Sequence, residues 1–341
     1  MTTLPPFHND SLTGFELELL APPEHGRLLL AESIAARIAG SIIYGFKYSS
    51  EGKMKNGRPN CRLLPAFRVI DPQRQTFVTI VDDTTIQKDL VDESDAPSPF
   101  AQLVIDDLRL ALWFERHSWS PEPSLNSTLQ HASETFEAQR EIQHSKGSSE
   151  ASDVLRDPYG NTLAVVSPYP AKRMRVCEIV TRPLRREERT KVLHLVCEAA
   201  QELGCTIPVE AGLHTHFDAQ PWQTTPHLCA LIDLYHQKRE AMLDRLQPNP
   251  LCRNGPMNPN ILRVAHECPP NLAFKVLSTA LQMAGVSKYA DLNIKWAIHN
   301  YPRFPTIEFR AYPMTLQAEA ILANVQFVEE QLLQFWQTVT M

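Results

Sequence analysis

Apolar and polar residues alternate through TGFELELL, residues Thr13–Leu20. Phe15, Leu17 and Leu19 fall on one side and Glu16 and Glu18 on the other, so the pattern predicts a β-strand with one buried and one ionisable face. The period then changes. In RLLLAESIAARIAGSII, Leu28, Ala31, Ile34, Ala35 and Ile38 recur at helical spacing, which predicts an amphipathic helix directly after the strand. The polar, glycine-containing SSEGKMKNGRPN reads as a loop, and AFRVI and QTFVTIVDD read as strands, the second ending in Asp82 and Asp83. A polar insertion is expected near 90–155, and its segment from Ser118 to Ser152, poor in large aliphatic residues, reads as a loop excursion.

Apolar strands return at NTLAVVSPY and RVCEIVTRPL. EERTKVLHLVCEAAQELG carries Val192, Leu195, Val196, Ala199, Ala200 and Leu203 as a helical stripe that stops at Gly204. TIPVEAGLHTHFDA reads as a strand bearing His214 and His216, and PTIEFRAY as the last strand. Further helices are expected at TPHLCALIDLYHQKREAMLDRL, PPNLAFKVLSTALQMAG and LQAEAILANVQFVEEQLLQFW. Charged strand faces exclude a sheet buried on both sides.

With 341 residues, 43% of them hydrophobic, the chain can bury a large core. A net charge of −6 offers no broad cationic field, so neither nucleic acid nor a membrane surface is an expected partner. Seven scattered cysteines without a CxxC pair point to a reducing compartment rather than a disulfide framework. The N-terminus MTTLPPFHND lacks a signal-peptide pattern, and a soluble cytoplasmic protein is expected. Neither GxxxxGK[ST] nor GxGxxG occurs.

The opening strand's ionisable face recurs elsewhere. His214 and His216 share a face, as do Glu308 and Arg310, and Glu178 sits between Cys177 and Ile179. Each alone reads as a solvated face; together they make a candidate site of mutually perturbing groups. A carboxylate-rich set with few imidazoles suits Mg²⁺ or Mn²⁺ better than zinc, and magnesium is usually shared with a nucleotide phosphate. Arg310 could grip a phosphoryl group through forked hydrogen bonds.

The ordered set GFELEL, VDDTTI, CEIVTRPL, GLHTHFD, PLCRNG, DLNIKW and TIEFR resembles the amidoligase family, carboxylate–amine and carboxylate–ammonia ligases distantly related to glutamate–cysteine ligase and glutamine synthetase. The resemblance covers nearly the whole chain, 1–341, as a single catalytic domain. It implies an α+β fold in which a curved, mainly antiparallel sheet forms a glutamine-synthetase-like half-funnel, with helices on the convex side and divalent cations in the floor. By the same resemblance Glu16 and Glu18 would serve two metal positions. Glu178, His214 and Glu308 would be further ligands, with His216 the alternative imidazole, as ligand of metal or nucleotide. Arg310 and Arg253 would face phosphate or the substrate carboxylate; Asn293 and Lys295 fall in a matching segment without a clear role.

The expected reaction joins a small-molecule or peptide carboxylate to an amine. ATP would phosphorylate the carboxylate, and the amine would displace phosphate from the acyl phosphate, leaving ADP. Asp83 or Asp218 could accept the amine's proton, and Lys53 could cap the nucleotide phosphates. Two rival readings remain: a zinc-dependent hydrolase using His214 and His216, and a catalytically silent binding protein on the same fold.

Overall fold

The computed structural model describes residues 5–7, 11–21, 26–49, 54–55, 58–59, 61–81, 101–105, 119–120, 130, 133–144, 151–168, 176–252, 254–299 and 305–340. Its elements run β1 (Thr13–Leu20), α1 (Gly26–Arg37), β2 (Ser41–Ser49), β3 (Met54–Lys55), β4 (Arg58–Pro59), β5 (Cys61–Ile70) and β6 (Thr76–Val81). They continue as β7 (Ala101–Ile105), β8 (Trp119–Ser120), β9 (Gln139–His144), β10 (Ala151–Arg156), β11 (Thr162–Pro168) and β12 (Val176–Thr181). The C-terminal half contains α2 (Arg186–Glu202), β13 (Gly212–Asp218), α3 (Thr225–Leu246), α4 (Pro259–His266) and α5 (Phe274–Met283), then β14 (Leu292–Asn293), α6 (Lys295–Ile298), β15 (Thr306–Pro313) and α7 (Ala318–Thr340). The class is α+β, with mainly antiparallel strands. Two compact units form, one from Met1–Glu18, Val180–Glu202 and Ile207–Met341, the other from Leu19–Ile179 and Leu203–Thr206.

In the first unit the strands run in the order β14-β15-β13-β1, each pair antiparallel. Phe15 and Leu17 of β1 are fully buried, as the alternation predicts. Helix α3 packs on β15, with Tyr235 perpendicular to Phe309 at 6.1 Å between ring centroids. Because Phe309 follows Glu308, α3 covers the apolar face and leaves the ionisable residues on the other. Helix α7 packs against α2 and α3. The buried Arg189 of α2 lies 2.5 Å from Glu329 of α7 and donates to the Thr13 hydroxyl at 2.6 Å, tying the start of β1 to both helices. Loss of either partner of that ion pair would leave a buried charge uncompensated.

Local signals account for the ends of α3. Thr224 has extended backbone and its hydroxyl accepts from His227 N, Pro226 sits in the first turn, and Gln247 closes the helix in the left-handed region at φ 52°. Thr224→Ala is expected to cost about 1 kcal/mol, read as a lower denaturation midpoint with the denaturant slope unchanged. Helix α4 was not foreseen in the sequence, although Asn258 caps it and Pro259 opens it. Helix α5 starts later than PPNLAFKV suggested, because Pro269 accepts from Leu272 N in a turn ahead of it.

In the second unit β6-β5-β7-β11-β10-β9 follow β12 in order; β2 also pairs with β5, and β8 with β2. Helix α1 packs on β2, β5 and β6. The helix expected to run through Ile43 ends at Arg37. Ala39 turns to φ 52°, and Gly40 N donates to Ala35 O at 2.8 Å, the mark of a helix terminus. A Cβ at Gly40 would stand 2.3 Å from Ile70 O, so only glycine lets the chain lie this close to β5, and Ile42 and Ile43 continue as strand. The expected loop excursion also contains strands: β9 pairs with β10 and β10 with β11. Strand β9 escaped the pattern reading because it is polar on both sides, Ile142 being 69% exposed, and is held by backbone pairing and the 2.9 Å Arg156–Glu141 ion pair. Within SSEGKMKNGRPN, β3 and β4 make a two-residue ladder. Among the described residues no helix is long and apolar enough to cross a membrane.

Candidate functional site

Register assembles the site. Glu16 pairs with His214 and Gly14 with His216 across β1 and β13; His216 pairs with Glu308 across β13 and β15, and Glu308 with Asn293 of β14. Cross-strand partners share a face, so side chains far apart in sequence meet on one surface of the first unit. Between β13 and β15 the register slips: Leu213 faces Tyr312 but Thr215 faces Phe309, which leaves Arg310 and Ala311 opposite His214 alone. This bulge gives Arg310 room to fold back onto the Glu308 carboxylate.

The distances define a compact polar cluster. Glu16 Oε2 lies 3.3 Å from His214 Nδ1, and Glu16 Oε1 lies 3.1 Å from His216 Nε2. Glu308 Oε1 is 3.8 Å from His214 Nδ1 and 4.0 Å from His216 Nε2, while its Oε2 accepts from Asn293 Nδ2 at 2.7 Å. Glu18 Oε2 accepts from Gly212 N at 2.6 Å, and its Oε1 is 3.6 Å from His214 Nε2. The two carboxylates of the opening strand are therefore tolerable neighbours: His214 lies between them, Glu16 also meets His216, and Glu18 has a backbone donor.

Charge follows geometry. Burial alone would raise the Glu16 carboxyl, but the two imidazoles outweigh it and hold it well below its ordinary range. Burial would likewise lower His216; Glu16 and Glu308 prevail over it and over the repulsion of Arg310, and its pKa rises to about 9. Arg310 donates from Nη1 to Glu308 and from Nε to Asn254 Oδ1 at 3.1 Å, and Asn254 Nδ2 returns a bond to the Arg310 carbonyl at 2.7 Å. Among the described residues its Nη2 has no hydrogen-bond partner, so the guanidinium is fixed on one side and open on the other.

The structure thus brings together Glu16, Glu18, His214, His216, Glu308 and Arg310. Glu178 is half-buried on β12, in the part of that strand belonging to the second unit. Lys53, Asp83 and Arg253 lie outside the described residues. Asp218 bonds a neighbouring backbone group, Gln220 N, at 2.9 Å, and Lys295 starts α6 with its ammonium over the Trp296 ring. Asn293 stands beside Glu308. Sequence reasoning missed Asn254 and Gly212. The first adjoins Arg253 in PLCRNG. The second opens GLHTH, and a Cβ there would lie 3.3 Å from His214 Nε2 and 3.4 Å from Cys252 Sγ, so the bare backbone lets the strand close over the imidazole.

A divalent cation fits this donor set. One ligand atom from each of Glu16, His216 and Glu308 falls within 4.8 Å of the others. His216 Nε2 is buried and makes no hydrogen bond among the described residues, even though Glu16 Oε1 is 3.1 Å away, because the two are close but not aligned. An unaligned buried nitrogen among carboxylates is an arrangement a shared cation would satisfy.

The family model described as "Putative amidoligase enzyme" matches residues 10–331. No curated protein and no solved structure matches the chain.

Proposed function

The chain belongs to the amidoligase family, and from that premise we propose that it is an ATP-dependent carboxylate–amine ligase, forming an amide or isopeptide bond through an acyl phosphate and releasing ADP and phosphate. The observation that carries this reading is the Arg310 guanidinium, held by Glu308 and Asn254 with one nitrogen open, beside a cluster of carboxylates and imidazoles on the same face.

In this reading Glu16, Glu18, His214, His216 and Glu308 would hold Mg²⁺ or Mn²⁺, with Glu178 a further ligand. The cations would supply charge neutralisation for the nucleotide's phosphate oxygens. Arg310, and Arg253 with it, would hold the migrating phosphoryl group through planar donors. Lys53 would cover the nucleotide phosphates, and Asp83 or Asp218 would accept a proton from the amine. Glu308 and Asn254 act by fixing the direction of Arg310, so positioning supplies much of the rate. The reading carries with it the glutamine-synthetase-like half-funnel implied by the sequence resemblance and a cytoplasmic setting suggested by seven scattered cysteines without a CxxC pair.

The zinc hydrolase is less well supported. Among the described residues His214 and His216 fall in no common ligand group, each instead joining carboxylates. Incubating the protein with ATP, Mg²⁺ and panels of acids and amines separates the readings. ADP and phosphate are expected only when cation, carboxylate and amine are all present. Formation of AMP and pyrophosphate would overturn the acyl-phosphate reading, and stoichiometric zinc with hydrolysis but no ADP would favour the alternative.

A further inference from the structure

A cavity of about 350 Å³ opens within the first unit beside the polar cluster, sharing Glu16 and His216 with it and lined also by Gly14. This is at the lower end of the range for small-molecule sites, roughly 300–1,000 Å³. Its remaining lining is largely apolar, including Leu12, Val180, Pro183 and Pro305.

Some polar groups in the lining already have neighbours. The Thr181 hydroxyl accepts from Phe15 N at 3.0 Å, the Thr306 hydroxyl meets His216 Nδ1 at 3.4 Å, and Asp218 Oδ1 accepts from Gln220 N at 2.9 Å. Among the described residues Asp218 Oδ2, His216 Nε2 and the Gln220 side-chain amide make no hydrogen bond. A purine here would bury ring nitrogens and an exocyclic amine against a mostly apolar lining, with a penalty for each group left unsatisfied. An alkyl or aryl group would need no partners. Asp218 lies two residues beyond His216 on β13, hence on the same strand face, and its free oxygen complements an ammonium.

We propose that this cavity receives the apolar side group of the amine co-substrate, with the ammonium on Asp218, so that the preferred amine is bulky and hydrophobic rather than ammonia. The inference rests on the ligase reading for the word co-substrate; the cavity's selectivity can be tested apart from it. Calorimetric titration of the metal-free, nucleotide-free full chain with benzylamine, ethylamine and adenosine is the test. Benzylamine is expected to bind at least ~10-fold more tightly than ethylamine, and Asp218→Asn to lose most of that binding. In Gly14→Ala the new Cβ would meet its nearest neighbour, His216 Cβ, at an ordinary 3.6 Å, so the added methyl should leave the fold intact while weakening benzylamine more than ethylamine. Equal affinity for the two amines would overturn the proposal, as would adenosine displacing benzylamine or an Asp218→Asn protein that binds benzylamine like wild type. Selective benzylamine binding with no ADP released from any acid–amine pair would support the cavity assignment and sink the ligase reading instead.

Discussion

Arg310→Lys is expected to keep a melting temperature close to wild type and to lower ADP-forming turnover by about 10²-fold or more. The guanidinium uses Nε on Asn254 and Nη1 on Glu308 and keeps Nη2 free. Lysine restores the positive charge beside Glu308 but has one nitrogen and no planar fork, so it cannot brace itself on two residues while presenting a third donor. The backbone contact from Asn254 Nδ2 to the carbonyl of residue 310 survives the change, which is why the fold should survive as well. The loss should fall on kcat more than on KM for ATP, because the open donor acts on the group being transferred. Wild-type turnover by a folded Lys variant would remove Arg310 from phosphoryl transfer.

The second large effect is on pH. Divalent-cation affinity of the nucleotide-free protein is expected to rise by about tenfold per pH unit up to pH ~9 and then level off, since an imidazole must shed its proton before it can ligate. The midpoint belongs to His216, raised to about 9 from its ordinary 6.5. The sign for stability is opposite. A raised folded-state pKa means that the His216 contribution to the metal-free protein is fully present below pH 6.5 and lost as pH climbs through about 9. Glu16, held well below 4.5, contributes above that value and loses its contribution as pH falls further. Metal-free melts should therefore decline between pH 6.5 and 9, while Mn²⁺ should raise the melting temperature most at the alkaline end. Affinity that stays flat from pH 6 to 9 would show that His216 is not a ligand.

Much of this protein was legible in its sequence where the signal is periodic. Alternation in TGFELELL placed Phe15 and Leu17 in the core and Glu16 and Glu18 together on the opposite side, and the stripe Val192, Val196, Ala199, Ala200 marked the buried face of α2. Such patterns are local, because a strand's period of two and a helix's of 3.6 are properties of the backbone itself. The sharing of one face by His214 and His216, and by Glu308 and Arg310, followed from the same rule. What tertiary structure alone decided is which faces meet and in what register. Nothing within GLHTHFD or TIEFR announces that His216 lies opposite Glu308, or that a bulge folds Arg310 back onto that carboxylate. Asn254, 56 residues before Arg310, became its brace only when β15 was laid beside the loop that carries it. Gly40 ended a helix that its apolar pattern would have extended, because the backbone of β5 passes where a side chain would stand. The polar strand β9 formed where pairing partners satisfied its backbone, despite the absence of an apolar face. In each case the deciding interaction depends on which backbone segment lies alongside, which the composition of either segment does not specify.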